Sequence, residues 1–239
     1  MIKRINLLSG PRNISTALMY SFAQRIDTKV FDEPLYAYYL QNSNAKSFHP
    51  GANEILKSQE NNGEKVVQMM LSNDSADVLF FKNMTHHLLN LDRSFLSKMT
   101  NVFLTRHPKE MIASFAKVIP NPTIDDIGYG MHTKLLDYFE TINIKPIVID
   151  SKRILLNPEK VLTQLCELME IPFYKNMLSW DAKPRPEDGV WAKYWYNSVH
   201  QSTKFSKYNP NINIFPEHLK PLLEECLPHY NRLIEFSIG

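Results

Sequence analysis

Short, uninterrupted apolar runs recur along the chain, separated by longer stretches in which apolar residues return every third or fourth position. The runs "INLL" (5–8), "KVF" (29–31), "DVLFFK" (77–82), "NVFLT" (101–105) and "KPIVID" (145–150) are β-prone and do not alternate with polar residues. That pattern suits strands covered on both faces, as in a parallel sheet. Between them, Ile14, Leu18, Phe22 and Ile26 fall on one helical face. Asp126 to Ile142 carries a longer amphipathic pattern through Met131, Leu135, Leu136 and Phe139. "NPEKVLTQLCELM" has the signals of a helix start: Asn157 as N-cap, Pro158 at the first helical position and Glu159 in the first turn, with Ile171–Pro172 as the stop. The tail from Pro216 reads as helix, with Pro221 and Pro228 expected to kink or split it. Strand–helix alternation of this kind predicts an α/β protein, three layers deep, around a central parallel sheet.

Two stretches do not share this rhythm. Residues 41–65 are polar, and 181–213 are rich in Pro, Asn and aromatics. Both are expected to cap the site, within one domain spanning 1–239. In the aromatic stretch, Trp195 is assigned to helix packing and Trp191 to covering the pocket. Composition adds little: 239 residues, 44% apolar, 22% charged, net charge +2. This is an ordinary soluble balance, without the charge block that nucleic-acid binding would call for. No segment has the ~18 consecutive apolar residues of a membrane span. The two cysteines, Cys166 and Cys226, lie far apart in helical patterns. They read as buried free thiols in a reducing cytoplasm. Oligomeric state is left open.

Candidate chemistry gathers at strand ends. "SGPRNIST" (9–16) joins the first strand to a helix. Free backbone N–H groups there, at the positive end of the helix dipole, form an anion site. Arg12, Asn13, Ser15 and Thr16 add donors. The spacing is not that of a Gly-x-x-x-x-Gly-Lys-Ser/Thr nucleotide loop. The second strand ends in Asp32–Glu33. One of these carboxylates can cap a helix starting at Pro34 and the other can act as general base. Asp32 suits the cap and Glu33 the chemistry. Arg106 ends the fourth strand, and Ser114 follows on the next helix. The eight histidines are dispersed, so no metal is expected.

Taken in order, these segments resemble the sulfotransferase family. Its first loop, Pro-Lys-Ser-Gly-Thr-Thr, is matched by Pro11, Arg12, Asn13, Ile14, Ser15 and Thr16. Its Arg-x-Pro-x₅-Ser motif is matched by Arg106, Pro108 and Ser114, and its closing loop by "PRPEDGVW" with Arg185, Gly189 and Trp191. Two departures stand out: Ile14 replaces a glycine, and "FFKNMTHHLLNL" replaces the usual Lys-x-His-Leu-Pro segment.

The resemblance implies a P-loop-like fold and 3′-phosphoadenosine 5′-phosphosulfate (PAPS) as co-substrate, without a metal. The acceptor would be a small molecule or carbohydrate with a hydroxyl or amine. It implies that Arg12, Ser15, Thr16 and the loop amides hold the 5′-phosphate, and that Arg106 and Ser114 hold the 3′-phosphate. Arg185 and Gly189 would belong to the donor site. Lys82 would neutralise the bridging oxygen, and Glu33 would take the acceptor proton. His86 or His87 is the alternative base. The competing readings are a nucleotide-dependent small-molecule kinase and a binding module that has lost catalysis.

Overall fold

The computed structural model describes residues 2–210 and 214–239. The last three positions of the 181–213 segment therefore lie outside the described residues. Six strands form one sheet, all parallel: β1 (Lys3–Ser9), β2 (Thr28–Asp32), β3 (Val78–Met84), β4 (Thr100–Thr105), β5 (Ile147–Asp150) and β6 (Ser237–Ile238), in the order β2-β3-β1-β4-β5-β6. The five expected strands are all present. The two-residue β6 carries no apolar run that a sequence pattern could detect.

The helices are α1 (Ser15–Phe22), α2 (Tyr36–Gln41), α3 (Ala52–Ser58), α4 (Gly63–Ser72), α5 (Pro108–Phe115), α6 (Ile124–Ile127), α7 (Tyr129–Thr141), α8 (Ser151–Leu156), α9 (Pro158–Leu168), α10 (Ala192–Trp195), α11 (Asn197–His200) and α12 (Lys220–Ile234). One face of the sheet packs Leu18 and Phe22 of α1 and Val161, Leu162 and Leu165 of α9. The other packs Val66 and Met70 of α4, Leu135 and Phe139 of α7, and Leu233 of α12. Continuous burial of β3 on both faces follows from this sandwich.

Several boundaries differ from expectation. The α1 stripe ends at Phe22, and Ile26 lies beyond the helix at 97% exposure. The 126–142 pattern is broken at Gly128, whose φ of 80° ends α6 and starts α7. The tail neither splits nor breaks: Pro221 sits in the first turn of α12, where its missing N–H costs nothing, and Pro228 is carried inside one helix. Packing against α7 and α5 and the bond from Tyr230 Oη to Asp150 (2.7 Å) hold that helix together. Asn157 caps α9 as expected, accepting from the Lys160 amide.

The two polar segments meet one another. Tyr36, Ala52 and Ile55 pack with Trp191, Ala192 and Tyr196 in a small core of their own. This core stands over the carboxyl ends of β2 and β3, because α2 leads directly out of β2.

Candidate functional site

The loop after β1 turns on two left-handed residues, Arg12 (φ 58°) and Ile14 (φ 62°). Alternation into the left-handed region turns successive N–H groups toward one concavity. Gly10 gives the loop its close approach, since a Cβ would lie a tight 3.0 Å from the Ile127 carbonyl. Asn13 anchors the loop by donating to the Leu104 carbonyl (3.2 Å). Helix α1 then begins with no side-chain cap and no acidic residue in its first turn. Its first amides are left for a ligand. By contrast, α9 has both Asn157 and Glu159.

Two guanidiniums line the same cavity as this helix start. Arg12 donates to Ser114 Oγ (3.1 Å) and to the Trp195 carbonyl (3.1 Å). Arg106 donates to Glu110 (3.0 Å) and to the Arg12 carbonyl (2.9 Å). Arg106 is thus ion-paired, whereas Arg12 touches neutral acceptors only, and no carboxylate pairs with it among the described residues. Burial, followed by the charge of Arg106, lowers the Arg12 pKa. An anion placed here would relieve both effects.

A second constellation lies at the ends of β2 and β3. Their register sets Asp32 beside Lys82, and the Glu33 amide extends the pairing by donating to the Lys82 carbonyl (2.8 Å). The Lys82 ammonium, wholly buried, donates to Asp32 Oδ1 (2.6 Å), to Glu33 Oε1 (2.7 Å) and to the Tyr196 hydroxyl. All three of its donors are engaged. Burial works against the ammonium, but Asp32 and Glu33 outweigh it and hold its pKa above the ordinary value. Burial pushes the Glu33 pKa up; Lys82 pulls against that and Asp32 adds to it, and the net shift is upward.

Asp32 does not cap a helix: α2 starts at Tyr36, after Leu35, with no side-chain cap. Its carboxylate instead accepts from Lys82, from Tyr196 (2.8 and 2.9 Å) and from the Gly189 amide (3.1 Å).

His86 and His87 follow β3 and are buried. Burial brings the His86 pKa down to about 3 and holds His87 well below its usual value. His49, from the segment after α2, is brought to about 4 by burial, with Asp126 opposing. All three imidazoles are neutral near pH 7. A base that weak at His86 contrasts with the raised carboxyl of Glu33.

One cavity of about 420 Å³ joins the two constellations. Pro11, Arg12, Asn13, Ile14, Ser15 and Thr16 line it, as do Arg106, Ser114, Glu33, Lys82 and His86. Arg185 and Gly189 are not among its lining residues. Arg185 pairs with Glu187 (3.2 Å), and Gly189 stands behind Asp32. The tryptophans exchange their expected places: Trp195 lines the cavity, stacked on Phe115, whereas Trp191 is buried and donates to Tyr196 (3.0 Å).

The sequence reading missed Tyr196, His49, Lys204 and Lys207, which also line the cavity. "KFSK" at 204–207 was the available signal for the two lysines. Nothing in the sequence marked Tyr196 among its aromatic neighbours. Among the described residues, no group of three or more His, Cys, Asp or Glu could hold a metal ion. Among the described residues, no helix is long and apolar enough to cross a membrane.

Residues 3–235 match the sulfotransferase domain family model. Two Arabidopsis thaliana proteins, branched-chain-amino-acid aminotransferase-like proteins 1 and 2, are 41% and 38% identical over 96% of this chain. The chain spans only 41% of their length, so their names describe much longer proteins. Among solved structures, the sulfotransferase domain from the curacin biosynthetic pathway superposes with a TM-score of 0.56 at 18% identity, covering 100% of this chain and 99% of that one. The sulfotransferase domain from the Synechococcus PCC 7002 olefin synthase gives 0.58 at 16% identity, over 97% and 96% of the two chains. These two likenesses concern the fold.

Proposed function

Because the chain belongs to the sulfotransferase family, we propose that it transfers a sulfuryl group from PAPS to a hydroxyl or amine of a small acceptor. One observation carries the reading: Arg12, which has no carboxylate partner among the described residues, shares one cavity with the uncapped start of α1 and a carboxyl of raised pKa. PAPS supplies the activated sulfur and leaves as the adenosine 3′,5′-bisphosphate. The α1 amides, Arg12, Ser15 and Thr16 bind its 5′ end, and Arg106 and Ser114 receive the 3′-phosphate. Lys204 and Lys207 add positive charge at the rim.

Glu33 takes the acceptor proton, a contribution of about 10²–10⁴-fold. Lys82 has no free donor, so its part is to fix Glu33 and offset its charge; direct contact with the bridging oxygen would need one of its three bonds released. The chain thus works mainly by positioning and by preorganised charge.

The bisphosphate at 100 times its Kd should stabilise the protein by about 2.7 kcal/mol, or about 5–10 °C in Tm for a chain of this size. ATP with magnesium should give far less. Arg106→Ala should abolish the shift. Glu33→Gln should keep it while lowering kcat by at least about 10²-fold. Equal stabilisation by the two nucleotides would defeat the donor assignment, and normal turnover by Glu33→Gln would defeat the base.

A further inference from the structure

The anion cradle occupies the carboxyl ends of β1 and β4. The rest of the cavity lies beyond β3 and β2, about 10–15 Å along the sheet edge at ordinary strand spacing. Its walls there set three uncharged imidazoles beside Glu33, Lys82 and Asp126. No hydrogen bond reaches either ring nitrogen of His86 or His87 among the described residues, and Nδ1 of each is fully enclosed. His49 shares Nδ1 with the Tyr36 hydroxyl (2.7 Å), and its Nε2 is buried without a partner. All three histidines line the cavity. The Nδ1 of His86 faces the α6–α7 corner, where a Cβ on Gly128 would lie 3.2 Å away, which leaves its Nε2 edge for the cavity.

An unpartnered buried polar atom is costly, and a ligand that supplies the partner removes that cost. Aromatic rings form part of the remaining wall. Trp195 stacks on Phe115 (5.8 Å between centroids, 10° between planes), and Tyr36 covers the face of His87 (4.7 Å, 19°).

We propose that this half of the cavity takes an uncharged, ring-bearing alcohol as the acceptor, its hydroxyl directed at Glu33 and its ring against Trp195, with His86 and His49 as hydrogen-bond partners. The inference rests on the sulfuryl-transfer reading above. A neutral imidazole accepts at one nitrogen and donates at the other, which suits a hydroxyl. It offers no counter-charge to an ammonium or a carboxylate stripped of water. The nearby charges are committed: Lys82 to Asp32 and Glu33, and Asp126 Oδ2 to the Thr123 amide and hydroxyl (2.8 Å each). In the reaction, the acceptor oxygen–sulfur bond forms as the bond from sulfur to the donor's bridging oxygen breaks. The hydroxyl proton passes to Glu33, and the bond's electron pair leaves with the adenosine bisphosphate.

Benzyl alcohol, benzylamine and benzoate, nearly equal in size, test the assignment. Binding of the adenosine bisphosphate alone is measured first by calorimetry; if it does not bind, the sulfuryl-transfer reading itself fails. On bisphosphate-saturated protein, benzyl alcohol should bind about tenfold or more tighter than the other two, the effect of one buried polar mismatch. With PAPS its kcat/KM should lead by a similar factor. His86→Phe should raise the KM for benzyl alcohol about tenfold while leaving bisphosphate affinity unchanged, and His86→Gln, which keeps a hydrogen-bonding group, should recover most of the loss. Bisphosphate binding accompanied by equal or tighter binding of the amine or carboxylate, by no binding of the alcohol, by an unaltered KM in a folded His86→Phe protein, or by a His86→Gln KM no better than that of His86→Phe would overturn the acceptor class alone.

Discussion

Ile14 is the residue at which chemistry and conformation conflict. A β-branched side chain at φ 62° costs about 1–2 kcal/mol of backbone strain. Ile14 persists because its side chain packs against the core cluster that includes Leu18, and because the left-handed turn aims the loop amides. The usual order of substitutions should therefore invert here. Ile14→Ala loses the packing and keeps the strain, so it should cost about 1–2 kcal/mol. Ile14→Gly loses the same packing but sheds the strain and should cost less. Urea unfolding of the two variants decides the matter, and a glycine variant clearly weaker than the alanine one would refute the account. The sequence pointed to Arg12 and Glu33 from their places at strand ends, and to Lys82 through the family resemblance. It did not disclose that Lys82 binds both carboxylates, because the partners at 32, 33 and 196 are distant in the chain and meet only through β2–β3 register and the folded tail.

At the scale of elements, the strands were the most legible part, since burial on both faces leaves a continuous apolar run that needs no partner to be recognised. Helix ends were less so. Ile26 continues the α1 stripe in sequence but not in space, and α12 absorbs Pro228 because its packing outweighs one missing hydrogen bond. Arg185, Gly189 and Trp191 were placed near the donor by motif; in the structure Gly189 and Trp191 brace the Glu33–Lys82 group from behind, through Asp32 and Tyr196. Gly189 is the tight point: a Cβ would stand 2.2 Å from the Trp191 ring, while its amide holds Asp32. Gly189→Ala should push Trp191 and Tyr196 away from Asp32, at about 1–3 kcal/mol of stability. It should also lower turnover while leaving bisphosphate affinity within about twofold. Loss of donor binding with turnover per bound enzyme unchanged would instead place Gly189 in the donor site.

At the scale of the whole molecule, burial of neutral histidines makes stability dependent on pH. The unfolded chain takes up protons on His49, His86 and His132, the last buried on α7, near pH 6.5, whereas burial in the folded state delays uptake to about 4, 3 and 3. Between those limits the unfolded state binds more protons, so stability falls as pH falls. At pH 5 each group costs about 2 kcal/mol, a total comparable with the 5–15 kcal/mol of an ordinary domain. Circular dichroism across a pH series should show cooperative unfolding near pH 5, and a Tm unchanged from pH 7.5 to 4.5 would contradict this.

The sequence by itself determined the parallel sheet, the loop that opens α1 and the charges at strand ends. Each depends on local patterns: a run of apolar residues, a helix start, an arginine two residues before a proline. Only the tertiary structure decided which charges cancel, which tryptophan faces the cavity and which imidazoles lie buried without partners. Those properties arise where segments remote in sequence exclude water together, and no local pattern records which segments will meet.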